Sequence, residues 1–237
     1  MNARITPLTL FAVLVTLGGC TSLDIGYPET VANRAQLASV TPRHVVVGPI
    51  TDRRIDQTRI GAKPQNGDGI KTRRPVVEIV REAFVVELTK NGHVVVPAEG
   101  DIRVAADVEE FWLDAAGHDG ATQYVGRVAL TLVVTDGRGG TTLLTRRYVG
   151  TKRVQAEADS KDAWRDAMNI ALARVMRDIA TDPDLVAALA RRPPSARHSA
   201  DAIRRRSLVE QGAVEPLVLI RGLETTMRGV SPSRAHG

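Results

Sequence analysis

Tyr124-Val125-Gly126-Arg127-Val128-Ala129-Leu130-Thr131-Leu132-Val133-Val134-Thr135 runs into Asp136-Gly137-Arg138-Gly139-Gly140. Tyr124, Val128, Leu130, Leu132 and Val134 recur at the two-residue period of a strand, with Gln123, Arg127, Thr131 and Thr135 on the opposite side. The glycines after Asp136 tolerate positive φ, so the pattern predicts a long β-hairpin, with a return strand from about Thr141 to Val154. Upstream, Ile102, Val104, Ala106 and Val108 alternate with Arg103, Asp107 and Glu109, which predicts a third strand of the same sheet. His93 to Pro97 reads as a short strand. His44-Val45-Val46-Val47-Gly48-Pro49-Ile50 reads as a buried strand stopped by a Gly-Pro pair.

Two helices flank these strands. Pro75 stands where a first helical residue belongs; Val76, Val80, Ala83, Phe84 and Leu88 follow at helical spacing, and Asn91-Gly92 closes the run. Asp159 or Ser160 caps the second, whose apolar stripe is Trp164, Ala167, Met168, Ala171, Leu172, Val175 and Ile179. A further short helix starts at Asp182-Pro183 and fades by Ala190. The order β-α-β-β-β-β-α predicts a two-layer α+β domain over residues 44–190. It would hold a mainly antiparallel sheet of about four to five strands with two helices on one face. Val125, Ala129 and Val133 mix with polar residues on the far face. That face is either a tolerated exposed surface or one that a partner covers.

At the N-terminus, Ile5 through Leu17 form an apolar run too short for the roughly 20 residues of a membrane span. It ends in Leu17-Gly18-Gly19-Cys20, the order of a lipoprotein signal peptide. Residues 1–19 are thus expected to be cleaved between Gly19 and Cys20, and Cys20 to carry the lipid. Cys20 is the only cysteine in the chain, so no intramolecular disulfide competes for its thiol. Stable anchoring takes two or more acyl chains. Thr21 and Ser22 follow, without the Asp at the second position. This pattern is compatible with outer-membrane sorting, the inner membrane being the alternative. Residues 20–43 read as lipidated N-terminus and tether.

The 237-residue chain is 43% hydrophobic, 25% charged and 3% aromatic, an ordinary globular composition poor in stacking platforms for nucleic acid or sugar rings. Residues 191–237 hold nine Arg and four acidic residues, so the whole net charge of +5 resides in this tail, which reads as disordered. The protein body is neutral, and no nucleic-acid partner is expected.

Residues 51–74 have no periodicity and far exceed the usual loop of about 4–6 residues. Asp52, Arg53, Arg54, Arg59 and Gly61 in this stretch form a candidate partner-binding loop, since its arginines can hold phosphates or carboxylates. The alternative is a solvated loop whose Asp and Arg pair with each other. His44, His93, His118, His198 and His236 are scattered, so no metal is expected. His118-Asp119 reads as turn residues, and Glu109-Glu110 are expected on opposite strand faces. No nucleophile elbow, Walker loop or dinucleotide fingerprint occurs. The chain is expected to be no enzyme, to carry no cofactor, and to meet the membrane through Cys20 and an envelope protein through its domain.

With Asp52-Arg53, Arg59-Ile60-Gly61, Leu88 with Asn91-Gly92, Asp136-Gly137, Arg147-Tyr148 and Asn169, residues 44–190 resemble the YajG-type family of bacterial outer-membrane lipoproteins. The resemblance implies a small lipid-anchored envelope protein and transfers no catalytic residue. A non-enzymatic binding or assembly module at the periplasmic face of the outer membrane follows as the expected function. The alternative is an accessory lipoprotein subunit of an envelope lipid or lipopolysaccharide transport system.

Overall fold

The structure is a computed structural model that describes residues 21–28, 36–63, 66–118, 121–138, 140–157 and 160–191. The signal peptide, Gly19, Cys20 and the tail from residue 192 lie outside the described residues, as do Asp119 and Asp159. The strands are β1 (Thr21–Leu23), β2 (His44–Asp52), β3 (Gly61–Ala62), β4 (Gly69–Thr72), β5 (Val94–Val95), β6 (Ile102–His118), β7 (Ala121–Asp136) and β8 (Thr142–Ala156). The helices are α1 (Val76–Lys90), α2 (Lys161–Ala180) and α3 (Pro183–Ala190).

All eight strands form one mixed sheet. The α+β class holds, but the expected sheet of four to five mainly antiparallel strands with two helices is corrected to eight strands and three helices. Periodicity missed β1, β3 and β4 because they hold three, two and four residues, too few for an alternation to register. β2 pairs β5 and β6 in parallel after a connection that includes α1, and β1 pairs β4 and β3 pairs β6 in parallel as well. β6, β7 and β8 make the antiparallel backbone, paired from Ile102↔Asp136 to His118↔Ala121 and on to Thr122↔Ala156. β8 ends the sheet, pairing only β7, and carries Arg146, Arg147, Lys152 and Arg153 along this edge.

A single core joins the inward side chains of the long strands to α1 and α2. Trp164 of α2 is fully buried and meets Tyr124 edge-on at 5.9 Å between ring centroids. α2 lies so close to β7 and β8 that only glycine fits beneath it. A Cβ on Gly126 would come within 2.4 Å of the Ala167 carbonyl oxygen, and one on Gly150 within 2.1 Å of that of Ala171. In β6 a bulge at Glu109 shifts the register. Val108 and Phe111 are therefore both buried. Glu109 and Glu110 both meet arginines of the outer face, rather than lying on opposite faces as their adjacency implied.

The segment expected to be a tether belongs in part to the domain: Leu23, Ile25, Leu37 and Val40 are core residues. The Arg74 guanidinium donates to the Ile25 carbonyl, and the Gly26 N–H donates to Asn169 Oδ1 at 3.2 Å. At the other end of the fold, Asp182 caps α3 by accepting the Asp184 N–H at 2.8 Å. The same carboxylate receives Tyr148 Oη at 2.5 Å and Arg146 Nη1 at 2.6 Å, docking α3 on β8. Burial pushes the Asp182 carboxyl up, but the hydrogen bonds from Tyr148, Arg146 and the Asp184 N–H outweigh it, and its pKa is lowered. Burial, and then the carboxylate beside it, push the Tyr148 hydroxyl up.

Candidate functional site

Residues 51–63 and 66–74 hold the end of β2, a compact loop and the paired strands β3 and β4. Arg54 organises the loop. It is 7% exposed. Its Nε and Nη2 donate to the Asp52 carboxylate at 2.9 and 2.7 Å, and its Nη1 to the Arg59 carbonyl at 3.0 Å. Gln57 Nε2 donates to the Asp52 carbonyl at 2.9 Å. Asp56 accepts the Thr58 hydroxyl, the Arg59 guanidinium and the Thr58 N–H, which together hold its carboxyl down at about 2. Arg59 also lies 5.7 Å over the Trp112 ring.

The sequence-predicted residues thus part company. Asp52, Arg54 and Arg59 share one hydrogen-bonded unit. Arg53 faces the outer sheet surface, 3.7 Å from Asp107. Gly61 is part of the sheet: a Cβ there would strike the Leu113 carbonyl oxygen at 2.5 Å.

The loop forms one wall of a cleft of about 600 Å³. The other wall holds residues not named as candidates: Lys71 to Arg74 at the end of the same stretch, then Pro75, Val76 and Val77 at the start of α1. Pro75 gives α1 no side-chain cap, so the positive end of the helix opens here. Arg73-Arg74 immediately before a helix-starting proline is the signal that would have found it. Five cations (Arg54, Arg59, Lys71, Arg73 and Arg74) line the cleft against one carboxylate, Asp52. Arg54 pairs with Asp52, Arg59 with Asp56 and Arg74 with Glu82. Lys71 and Arg73 are exposed and have no such pair among the described residues.

The outer sheet face is a lattice of ion pairs rather than an open apolar patch. Glu109 binds Arg147 and the Thr131 hydroxyl, and the two lower its pKa. Arg127 bridges Asp114 at 2.7 Å and Glu110 at 3.8 Å. Ala129 beneath them is fully buried, and Val125 and Val133 are partly so. Between sheet and helices, the void beside Leu37, Phe84, Leu88 and Leu189 measures about 10 Å³, on the order of what a single water molecule needs.

Among the described side chains, His44 and His93 have separate partners. His44 lies 3.8 Å from Asp101 at a strand end, and buried His93 accepts the Arg43 N–H, its pKa lowered by burial. Among the described residues no three His, Cys, Asp or Glu side chains are grouped to hold a metal ion, and no helix is long and apolar enough to cross a membrane.

Residues 40–190 match the model of Lipoprotein_16, a family described as uncharacterized lipoproteins. The chain belongs to this lipoprotein family. No curated protein matches it. Among solved structures, a Xanthomonas campestris protein of the family DUF330 is 16% identical, over 68% of this chain and 90% of that one, with a TM-score of 0.47. A Chlamydia trachomatis protein is 11% identical over 62% and 99%, with a TM-score of 0.44. A minor lipoprotein from Acinetobacter baumannii is 14% identical over 52% and 93%, with a TM-score of 0.31. The family is one of lipoproteins, which supports a lipid-anchored envelope protein.

Proposed function

We propose that this lipoprotein is a non-enzymatic binding module of the YajG type, held by acylated Cys20 at the periplasmic face of the outer membrane, and that its basic cleft binds an anionic partner. The cleft carries the reading. Five cations line about 600 Å³ of open space beside an uncapped helix N-terminus; Asp52, Asp56 and Glu82 pair with Arg54, Arg59 and Arg74, and Lys71 and Arg73 are left with no carboxylate partner among the described residues. Such an arrangement attracts phosphate or carboxylate groups. Its groups suit binding better than turnover: the one carboxylate lining it is committed to Arg54, and no histidine or thiol lines it. Outer-membrane placement rests on Thr21 and Ser22 after the cysteine.

A photo-crosslinking residue placed at Thr58, exposed on the cleft wall, tests this in intact envelopes. The native chain is expected to capture an envelope component that Cys20→Ala does not, and the Cys20→Ala chain to leave the outer-membrane fraction. Equal capture by both forms would overturn the anchored reading. A turnover activity abolished by a point change in the domain would overturn the non-enzymatic one.

A further inference from the structure

The first described residue, Thr21, is peptide-bonded to Cys20 and already belongs to the sheet. β1 pairs Thr21 with Ile70, Ser22 with Lys71 and Leu23 with Thr72, and the Leu23 carbonyl accepts the Arg73 N–H at 2.9 Å. Leu23 and Ile25 then enter the core at 4% and 1% exposure. No free chain separates the acylated residue from the fold. A flexible tether of residues 21–43 would instead have given about 25 Å of reach.

This fixes what stands near the bilayer. Lys71 and Arg73 lie one and three positions beyond Ile70, so about 3 and 10 Å along the strand from the level of Thr21. Headgroup regions are about 5–8 Å deep on each side of the hydrocarbon core. The cleft cations therefore fall within reach of the lipid phosphates. The opposite wall of the cleft adds an apolar element: Ile55 stands between the lining residues Arg54 and Gln57 with its side chain wholly in water, at 107% relative exposure. An aliphatic tip among arginines and lysines suits the interfacial layer, where apolar groups sink and cations meet phosphates.

Deepening the reading of the cleft as an anion site, and resting on it and on the Cys20 anchor, we propose that Lys71, Arg73 and the Ile55 loop dock on phosphate-bearing lipid headgroups of the bilayer that holds the anchor. The domain then lies against the membrane. A soluble phosphate would satisfy the cations but make no use of Ile55 or of the missing tether, and these two features favour the lipid.

The test uses the full acylated protein, its acylation first verified by mass. Acylation consumes the thiol of Cys20, the only cysteine, so Gln57→Cys provides a unique site for an environment-sensitive fluorophore. The labelled protein is reconstituted in phosphatidylcholine vesicles, with or without an equal part of phosphatidylglycerol, containing spin-labelled lipid as quencher. Quenching is expected in the anionic vesicles and much less in the neutral ones. One basic residue near an anionic surface strengthens association about fivefold, so Arg73→Glu, which removes a cation and adds an anion, should weaken docking about 25-fold. Ile55→Ser should reduce quenching at either composition. Absence of quenching, or quenching indifferent to lipid charge and to Arg73→Glu, overturns membrane docking. Titration of inorganic phosphate into the detergent-solubilised protein separates the two readings. Phosphate binding lost in Lys71→Glu/Arg73→Glu, without vesicle quenching, leaves the anion site standing and removes its lipid occupant. Neither signal removes both. A mass lacking acyl chains removes the anchor and with it membrane docking, and leaves the anion site to the phosphate titration.

Discussion

Replacing Asp182 with alanine strips three interactions from one carboxylate, and their costs follow from the geometry. Loss of the α3 cap costs about 1 kcal/mol. Tyr148 Oη, buried against Asp182 at 2.5 Å, loses its acceptor, at about 1–2 kcal/mol. The Arg146 side chain is 41% exposed and keeps Asp184, so its share stays below about 1 kcal/mol. The three groups touch one another and their costs do not add strictly. Asp182→Ala should therefore destabilise the domain by about 3 kcal/mol, a fall in Tm of about 6–12 °C for a domain of this size. Asp182→Asn retains a cap and a neutral acceptor and should lose about half as much. The lowered pKa of Asp182 sets the pH dependence. A depressed carboxyl contributes stability above its unfolded value of about 3.9, and that contribution is lost as pH falls through the folded value. The gap between wild type and Asp182→Asn should thus be full at neutral pH and close as the pH drops below about 4. Urea unfolding at pH 7, 5 and 3 measures it. A loss below about 1 kcal/mol for Asp182→Ala, or a gap that ignores pH, would refute the account.

Gly150→Ala would set a methyl 2.1 Å from the Ala171 carbonyl oxygen and 2.8 Å from Val175 Cγ2, so α2 must lift; thermal unfolding should show a loss of at least 1–3 kcal/mol. Asp52→Ala would leave the buried Arg54 guanidinium without its anion, with an expected loss of about 3–5 kcal/mol by denaturant titration and loosening of residues 53–60 in hydrogen exchange.

The elements legible beforehand were those long enough to repeat. β6, β7 and β8 span 17, 16 and 15 residues and α2 spans 20, and each carries its period on the surface of the sequence. β1, β3 and β4 owe their existence to partners far along the chain. Gly61 joins the sheet because Leu113 offers it an edge, and Thr21 because Ile70 does. Such pairings leave no local pattern. The segment around Leu23 and Ile25 looked like a tether for the same reason, since two isolated aliphatic residues resemble chance until the core that receives them is known. The candidate loop divided along similar lines. Its Asp and Arg types pointed to ion pairing, and Arg54 indeed spends its donors on Asp52 and Arg59. The cations left for a ligand, Lys71 and Arg73, lay inside the same stretch but outside the residues named from it, on and just after a strand too short to see. Adjacency also misled at Glu109-Glu110, where the bulge decides which way each side chain turns.

β8 is a 15-residue strand that pairs only β7 among the described residues, and a strand edge of that length invites zippering between copies wherever they are held close together. On this edge Arg146 and Arg147 spend their charge on Asp182, Asp184 and Glu109, whereas Lys152 and Arg153 pair with no carboxylate among the described residues. Unneutralised cations along a strand edge oppose its pairing with a second copy, and Lys152 and Arg153 place that charge in the second half of β8.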